Sequence, residues 1–219
     1  MLVVITGSSS GIGEGTALKF LNEGHDVIGI DLLPASINHP HYTHFIADIS
    51  KKNSLPDIKD VEILFNNAGK QNDHDINNNL VGSINVTEKY AFQPKIKSVL
   101  FNASASAHSG FEFPEYVASK AGLIGYMKNV AVRLAEFGAT ANSISLGGVI
   151  TSSNAPVMED EECWNKIMDA TPLKKWATLN EVADWVYFLT VINKSATGID
   201  VLIDNGEFNL NSTFVWPSR

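Results

Sequence analysis

The stretch Thr6-Gly7-Ser8-Ser9-Ser10-Gly11-Ile12-Gly13 joins a short β-branched run over residues 2–5 to a helix predicted over residues 13–23. Glycine allows positive φ angles and lets a ligand approach the backbone closely. The free N–H groups and the dipole at the start of a helix attract a pyrophosphate. In this setting of strand, turn and helix, the stretch predicts a dinucleotide site, with a plain tight turn as the alternative. The predicted contacts are Gly7, Ser9, Ser10, Gly11, Ile12 and Gly13.

Asp31 directly follows the second predicted strand, residues 27–30, and stands eighteen residues after Gly13. A carboxylate at this place can accept hydrogen bonds from the hydroxyl groups of an adenosine ribose. It would repel a 2′-phosphate, and neither the glycine-rich turn nor Leu32-Leu33 offers an Arg or Lys to neutralise one. The pattern therefore favours NAD over NADP. Simple solvation of a strand end is the alternative role for Asp31.

Short apolar runs alternate with longer helical patterns along the chain. The predicted strands are residues 2–5, 27–30, 44–47, 63–65, 98–102, 140–145 and 200–203. The predicted helices are residues 13–23, 74–91, 114–137, 161–170 and 180–193. Most strands are apolar on both faces, so we expect an α/β fold with a doubly wound parallel sheet, as a single compact domain over residues 1–219. Only seventeen residues separate Asp48 from Asn66, and the crossover helix there should be reduced to a turn.

The overall composition excludes several classes of partner. The chain has 219 residues, with 24 acidic and 16 basic side chains and a formal net charge of −8. Without basic runs it lacks the attraction to phosphate on which binding to nucleic acid or an anionic membrane depends. The single cysteine, Cys163, cannot form an internal disulfide. Met1 leads directly into the first strand and no segment approaches the about 20 apolar residues of a spanning helix, so a cytoplasmic location is expected.

The spacing Thr-Gly-x-x-x-Gly-x-Gly resembles the turn of the short-chain dehydrogenase/reductase family, and three later motifs agree with it. They are Asp48-Ile49, Asn66-Asn67-Ala68-Gly69 and Tyr116-Val117-Ala118-Ser119-Lys120. The resemblance covers nearly the whole chain. It implies a Rossmann fold and the transfer of hydride between NAD(H) and a secondary alcohol or ketone. It also implies cofactor contacts at Asp48, Ile49, Asn67, Ala68, Gly69, Tyr116, Lys120, Val149 and Thr151.

Tyr116 and Lys120 are spaced i, i+4, which places both side chains on one face of a helix. A free phenol has a pKa near ~10, and a nearby ammonium group lowers this pKa by favouring the phenolate. By resemblance, Lys120 also holds the nicotinamide ribose. Tyr116 then gives a proton to the carbonyl oxygen, or removes one in the reverse direction.

Two further catalytic residues are implied by the resemblance. Asn79, in Asn79-Leu80-Val81-Gly82, matches the family asparagine that binds a water linking Lys120 to solvent. The residue thirteen before Tyr116, where the family usually has its serine, is Ala103. A following loop shorter by one residue would bring Ser104 into the role of orienting the substrate oxygen, with Ser106 as the alternative.

Residues 152–172 resemble the segment that folds over the substrate in this family, and their apolar side chains at helical spacing predict a lid. The acidic residues 159–162 are expected at a solvated helix start, and their charge argues against an acidic acyl carrier protein as partner. A small neutral or modestly apolar carbonyl compound is the expected substrate. No metal site is expected. His39, His41 and His44 stand in the solvated connection that leads into the third predicted strand, and alternation along that strand would direct His44 away from the other two.

The long helix over residues 114–137 resembles the one through which members of the family pair, so a homotetramer or homodimer is expected. The displaced serine and the short connections leave a second hypothesis open: a dinucleotide-binding sensor or regulator that has lost turnover. Both proteins would bind NAD, so only turnover separates the two hypotheses.

Overall fold

The computed structural model describes residues 1–71, 74–111 and 113–210, which form a parallel sheet of seven strands with helices around it. The strands are β1 (Leu2–Thr6), β2 (Asp26–Asp31), β3 (Tyr42–Ile46), β4 (Ile63–Asn66), β5 (Ser98–Asn102), β6 (Thr140–Leu146) and β7 (Asp200–Ile203). Their order across the sheet is β3-β2-β1-β4-β5-β6-β7. The chain runs from β1 outward to β2 and β3, then returns to β4 on the other side of β1. Sheets of this kind bind ligands at the carboxyl ends of the two strands where the order reverses, here β1 and β4.

The helices cover both faces of the sheet, as the doubly wound fold predicts. They are α1 (Gly11–Asn22), α2 (Gly82–Tyr90), α3 (Ser106–Ser109), α4 (Pro114–Leu134), α5 (Ala155–Glu159), α6 (Glu161–Ala170) and α7 (Leu179–Tyr187). On one face, α1 and α7 pack against Val3 and Ile5. On the other, α2 and α4 pack against Val4 and Leu64. Alternate residues of one strand therefore enter opposite cores, which explains why the central strands are apolar throughout.

The β3 edge of the sheet has little cover. Residues 32–41 run from β2 to β3 without a helix, and a single 3₁₀ turn, Lys52–Ser54, lies between β3 and β4. The predicted reduction of the crossover helix between Asp48 and Asn66 to a turn is thus confirmed. Phe45 and Ile46 of β3 are 37% and 66% exposed as a result.

Several predicted elements differ from the structure in their bounds or in their type. β3 begins at Tyr42, two residues before the predicted start, because Tyr42 pairs with Val27 of β2. The helix predicted over residues 74–91 contains a π-helical turn, Ile76–Val81, before α2 begins. The helix predicted over residues 180–193 is α7 followed by a second π-helical turn, Phe188–Ile192.

Of the three clustered histidines, His39 and His41 lie in the connection that precedes β3, and His44 lies in the strand that the sequence predicts over residues 44–47. His44 belongs to β3, and its Nε2 donates a hydrogen bond of 2.9 Å to the carbonyl oxygen of Leu33. His41 lies 2.8 Å from an Asp26 carboxylate oxygen. Within the described ranges, no group of three His, Cys, Asp or Glu side chains is arranged to hold a metal ion. In the same ranges, no helix has both the length and the apolar character needed to cross a membrane.

Candidate active site

The glycine-rich turn connects β1 to α1, and its geometry requires glycine. Gly7 and Gly11 have φ angles of +69° and +55°, a region that other residues rarely adopt. A Cβ atom at Gly13 would lie 1.9 Å from the carbonyl oxygen of Gly7, so α1 can begin this close to the turn only with glycine there. A Cβ atom at Gly11 would have only the methyl group of Thr151 nearby, at 3.8 Å. Gly11 therefore borders open space.

That open space is a cavity of about 790 Å³, which contains most of the predicted cofactor contacts. Those that line it are Gly7, Ser10, Gly11, Ile12, Asp31, Asp48, Ile49, Asn67, Ala68, Gly69, Tyr116, Lys120 and Thr151. Ser9 and Gly13 do not line this cavity. The main-chain N–H of Ser9 donates to Asp31, and Gly13 packs against the backbone of Gly7. Val149 lines a neighbouring cavity instead.

Asp31 ends β2 at the wall of the large cavity, and its carboxylate fixes the backbone around it. Its two oxygen atoms accept hydrogen bonds of 3.0 Å from the main-chain N–H groups of Ser9 and Leu33. Among the described residues that line the cavity, the cationic side chains are those of Lys70 and Lys120. Lys70 lies in the segment after β4, and Lys120 lies on α4. The β2 end of the cavity therefore presents a negative charge.

The ends of β1 and β4 are tied together beneath the cavity. The hydroxyl oxygen of Thr6 accepts hydrogen bonds of 3.0 Å from the main-chain N–H groups of Asn67 and Ala68. The Asn67 side chain donates in return to the carbonyl oxygens of Thr6 and Gly7, at 3.0 and 3.2 Å. This network holds the glycine-rich turn and the Asn-Asn-Ala-Gly segment in a fixed relation.

Tyr116 and Lys120 lie together on α4, as their spacing predicts. The Nζ atom of Lys120 is 5.5 Å from the centroid of the Tyr116 ring. The same atom donates a hydrogen bond of 2.7 Å to the carbonyl oxygen of Asn102. Burial lowers the pKa of Lys120 to about 8, and the negative charge of Asp75 opposes this shift. A positive charge thus sits beside the tyrosine at neutral pH.

Asn79 is buried in the π-helical turn and faces the segment after β4. Its Oδ1 accepts a hydrogen bond from the N–H of Lys70 and its Nδ2 donates to the carbonyl oxygen of Lys70, both at 2.8 Å. Nδ2 also lies 3.2 Å from the hydroxyl oxygen of Ser119. A Cβ atom at Gly69 would lie 3.1 Å from Asn79 Oδ1 and 3.4 Å from Lys120 Nζ. A larger side chain at position 69 would therefore crowd both Asn79 and Lys120.

A second cavity, of about 470 Å³, adjoins the first. The residues that line both cavities are Ile12, Gln71, Asn102, Tyr116, Lys120, Thr151 and Asn154. The rest of its wall is part polar and part apolar, and the apolar side chains in it include Leu146, Val149, Val157, Ile167 and Trp176. Phe111 and Phe113 are more than half exposed and do not line it. The tyrosine and the lysine stand at the junction of the two cavities.

The structure distinguishes between the two candidate serines. Ser104 lines the second cavity together with Tyr116 and Lys120. Ser106 is buried, begins α3 and does not line that cavity. Instead, its hydroxyl group donates a hydrogen bond of 2.9 Å to the hydroxyl oxygen of Ser104.

Several residues of the two cavities were not found from the sequence, among them Gln71, Asn102, Trp176 and Glu207. Asn102 ends β5, so its place at the carboxyl end of a predicted strand was an available signal. Gln71 follows the Asn-Asn-Ala-Gly segment closely. Trp176 and Glu207 come from irregular segments, and no sequence pattern indicates that they reach the cavity.

Known proteins that are similar to this chain are oxidoreductases. Residues 65–207 match a family model described as enoyl-(acyl carrier protein) reductase. The curated 2-dehydro-3-deoxy-D-gluconate 5-dehydrogenase of Escherichia coli (strain K12) is 24% identical, with 94% of this chain and 94% of that protein covered. Dehydrogenase/reductase SDR family member 6 of Rattus norvegicus is 29% identical, with 94% of this chain and 96% of that protein covered.

A solved structure shares the fold. It is an oxidoreductase of the short-chain dehydrogenase/reductase family from Burkholderia thailandensis, with a TM-score of 0.87 at 23% identity, covering 96% of this chain and 93% of that one. The matched family model spans well over half of the present chain, including the Asn-Asn-Ala-Gly and Tyr-x-x-x-Lys motifs. The chain therefore belongs to the short-chain dehydrogenase/reductase family, whose members are oxidoreductases that bind a nicotinamide cofactor.

Proposed function

We propose that this chain is an NAD-dependent dehydrogenase/reductase acting on a secondary alcohol and the corresponding ketone. The observation that carries the proposal is the position of Tyr116 and Lys120 at the junction of the two cavities. The larger cavity has the glycine-rich turn along its wall, and the smaller one is lined by Ser104 and by side chains of α5 and α6. Such an arrangement supports a dinucleotide in the first cavity and a carbonyl group in the second, with the tyrosine between them.

The residues of the larger cavity fit a nicotinamide dinucleotide. Gly11 borders space that a side chain would fill, and the start of α1 offers N–H groups to a pyrophosphate. Asp31, already held by two backbone hydrogen bonds, would accept from the adenosine ribose and disfavour a 2′-phosphate. Asp48, Ile49, Asn67 and Thr151 would contact the rest of the molecule. When bound, the nicotinamide supplies or accepts the hydride.

Tyr116 is proposed as the general acid for ketone reduction and as the general base for alcohol oxidation. Lys120 favours the phenolate form of Tyr116 through its positive charge. Because its pKa is about 8, the lysine carries this charge at neutral pH. Ser104, on the same cavity wall, would donate a hydrogen bond to the substrate oxygen as negative charge develops there. Asn79 is proposed, from the family resemblance, to bind the water that links Lys120 to solvent.

The smaller cavity favours a small neutral or modestly apolar carbonyl compound. Its wall combines apolar side chains with polar ones, and Glu207 is the carboxylate among the described residues that line it. This charge and the acidic start of α6 disfavour both anionic substrates and an acidic acyl carrier protein. Val157 of α5 and Ile167 of α6 reach the cavity, which supports residues 152–172 as the substrate lid. We further propose a cytoplasmic homotetramer or homodimer that packs through α4.

The proposal is tested by the loss of NADH absorbance with a panel of ketones, keto acids, sugars and steroids, repeated with NADPH. Turnover with NADH is expected for at least one neutral ketone, and Tyr116→Phe should reduce kcat by about 10³-fold. Tyr126→Phe is the matched control, because Tyr126 lies on the same helix and donates to Glu88 instead. Tight NADH binding without turnover would favour the sensor. A preference for NADPH would overturn the role of Asp31.

A further inference from the structure

The hydroxyl oxygen of Ser104 accepts two hydrogen bonds, and both come from Ser106. The Ser106 hydroxyl donates one at 2.9 Å, and the Ser106 main-chain N–H donates the other at 3.2 Å. Ser104 is 6% exposed and Ser106 is 2% exposed, so bulk water has little access to either group. The arrangement is local, because the two residues are separated only by Ala105.

A serine hydroxyl has two acceptor lone pairs and one O–H donor. At Ser104 both lone pairs are used by Ser106, and the hydrogen is the part of the group that is left for a ligand. We propose that Ser106 is a positioning residue, which makes Ser104 an obligate hydrogen-bond donor to the substrate oxygen. The inference rests on the proposed function, because it concerns the carbonyl oxygen that Tyr116 protonates.

The segment that carries Ser106 is held from several sides. His108, two residues further along α3, lies with its Nε2 2.7 Å from a carboxylate oxygen of Asp200 on β7. The same nitrogen lies 3.3 Å from the hydroxyl oxygen of Ser145 on β6. The N–H of Ala105 donates to the carbonyl oxygen of Leu146 at 2.9 Å. With α3 tied to two strands, Ser106 has a fixed direction from which to donate.

A donor that cannot turn into an acceptor suits the chemistry of this site. In ketone reduction the substrate oxygen gains negative charge, and a hydrogen bond from Ser104 becomes stronger as that charge grows. A freely rotating hydroxyl would spend part of its time with a lone pair toward the oxygen. Ser106 removes that orientation. Its effect should therefore appear in kcat, which reports the transition state, and much less in KM.

The test is a double-mutant cycle with Ser104→Ala, Ser106→Ala and the double variant, measured with NADH and the best ketone from the substrate panel. Ser104→Ala should lower kcat by about 10²-fold to 10³-fold. Ser106→Ala should lower kcat by about tenfold, the effect of losing one ordinary hydrogen bond. If Ser106 acts through Ser104, the double variant should match Ser104→Ala alone.

Three controls make the result specific. Ser109→Ala is the matched control, because Ser109 lies on the same short helix and its hydroxyl accepts from Phe111 rather than contacting Ser104. Ser106→Thr, which keeps the hydroxyl group, should recover most of the lost kcat. NADH dissociation constants and thermal midpoints of all variants should stay near those of the wild type, which a general loss of structure would change.

The inference is overturned if the two alanine effects multiply in the double variant, because Ser106 would then act independently of Ser104. It is also overturned if Ser106→Ala loses more activity than Ser104→Ala, which would make Ser106 the catalytic serine. Failure of the proposed function has a different signature: the wild type would bind NADH without turning over any compound of the panel, or Tyr116→Phe would keep the activity of the wild type. The two failures are therefore distinguishable with one set of proteins.

Discussion

Lys120 donates a hydrogen bond from Nζ to the carbonyl oxygen of Asn102 over 2.7 Å, and this contact joins the middle of the protein's longest helix to the end of β5. The lysine is only 4% exposed. Burial of the ammonium group lowers its pKa from 10.5 to about 8. An acceptor at the end of a strand therefore holds a charge that water would otherwise solvate.

This buried charge predicts a pH dependence of stability. Between pH 8 and 10.5 the lysine of the unfolded chain is still protonated while that of the folded chain has lost its proton, so wild-type stability should rise with pH in that window. Relative to Lys120→Met, the wild type should gain about 3 kcal/mol, and below pH 8 the difference should be constant. Urea unfolding of both proteins at several pH values measures this. Parallel curves would contradict the lowered pKa.

Thr6→Val should destabilise the protein by about 2–3 kcal/mol. The substitution keeps the shape of the side chain and removes the oxygen that accepts from the N–H groups of Asn67 and Ala68. Two part-buried N–H donors would lose their acceptor. Thr6→Ser keeps the oxygen and serves as the control, with a loss expected well below that of Thr6→Val. Equal losses in chemical denaturation would mean that packing, not hydrogen bonding, joins β1 to β4.

Two glycine-to-alanine variants should change stability in opposite directions. Gly13→Ala places a Cβ atom 1.9 Å from the Gly7 carbonyl oxygen, so it should cost about 3 kcal/mol and weaken NADH binding at least about tenfold. Gly125→Ala, in the middle of α4, meets nothing within 4 Å and should stabilise the protein by about 1 kcal/mol. Thermal unfolding and NADH titration distinguish the two cases. A neutral Gly13→Ala would show that the turn shifts easily.

Asp31→Asn should change the preference between the two nicotinamide cofactors. It removes the charge that opposes a 2′-phosphate while keeping the shape of the side chain, so the ratio of the NADPH to the NADH dissociation constant should fall by about tenfold or more. Tryptophan fluorescence titration with each cofactor measures the ratio. Asp48→Asn is the matched control, because Asp48 lines the same cavity and should not change the ratio. An equal change in both variants would refute a specific role for Asp31.

The sequence predicted the sheet and many of the residues that line the larger cavity, because both depend on short-range patterns. The apolar runs at the strands, the glycine-rich turn and the i, i+4 pair on α4 each occupy a few consecutive residues. The fold places them at the carboxyl ends of neighbouring strands without further information. Gly7, Asp31 and Tyr116 accordingly line one cavity.

The parts that the sequence did not predict depend on contacts between distant segments. Asn79 lies in a π-helical turn, and its side chain bonds to Lys70, nine residues earlier. Trp176 reaches the second cavity from an irregular segment. Its ring packs against that of Trp164, with the two ring centroids 5.0 Å apart. The choice between Ser104 and Ser106 was open because both follow β5. The structure shows that Ser104 lines the second cavity, whereas Ser106 is buried behind it and donates to its hydroxyl oxygen.

β3 pairs with β2 on one side, and in the described part of the chain no α-helix lies in the connection on either side of it. Its backbone hydrogen bonds should therefore break through local openings far smaller than global unfolding. In native-state hydrogen exchange, the amides of β3 are expected to exchange well before those of β1 and β4. A dinucleotide against Asp31, Asp48 and Ile49 would span the ends of β2 and β3 and slow this exchange more than any other. A bound dinucleotide would then protect the amides of this edge strand from exchange, as the helices protect the other strands of the sheet.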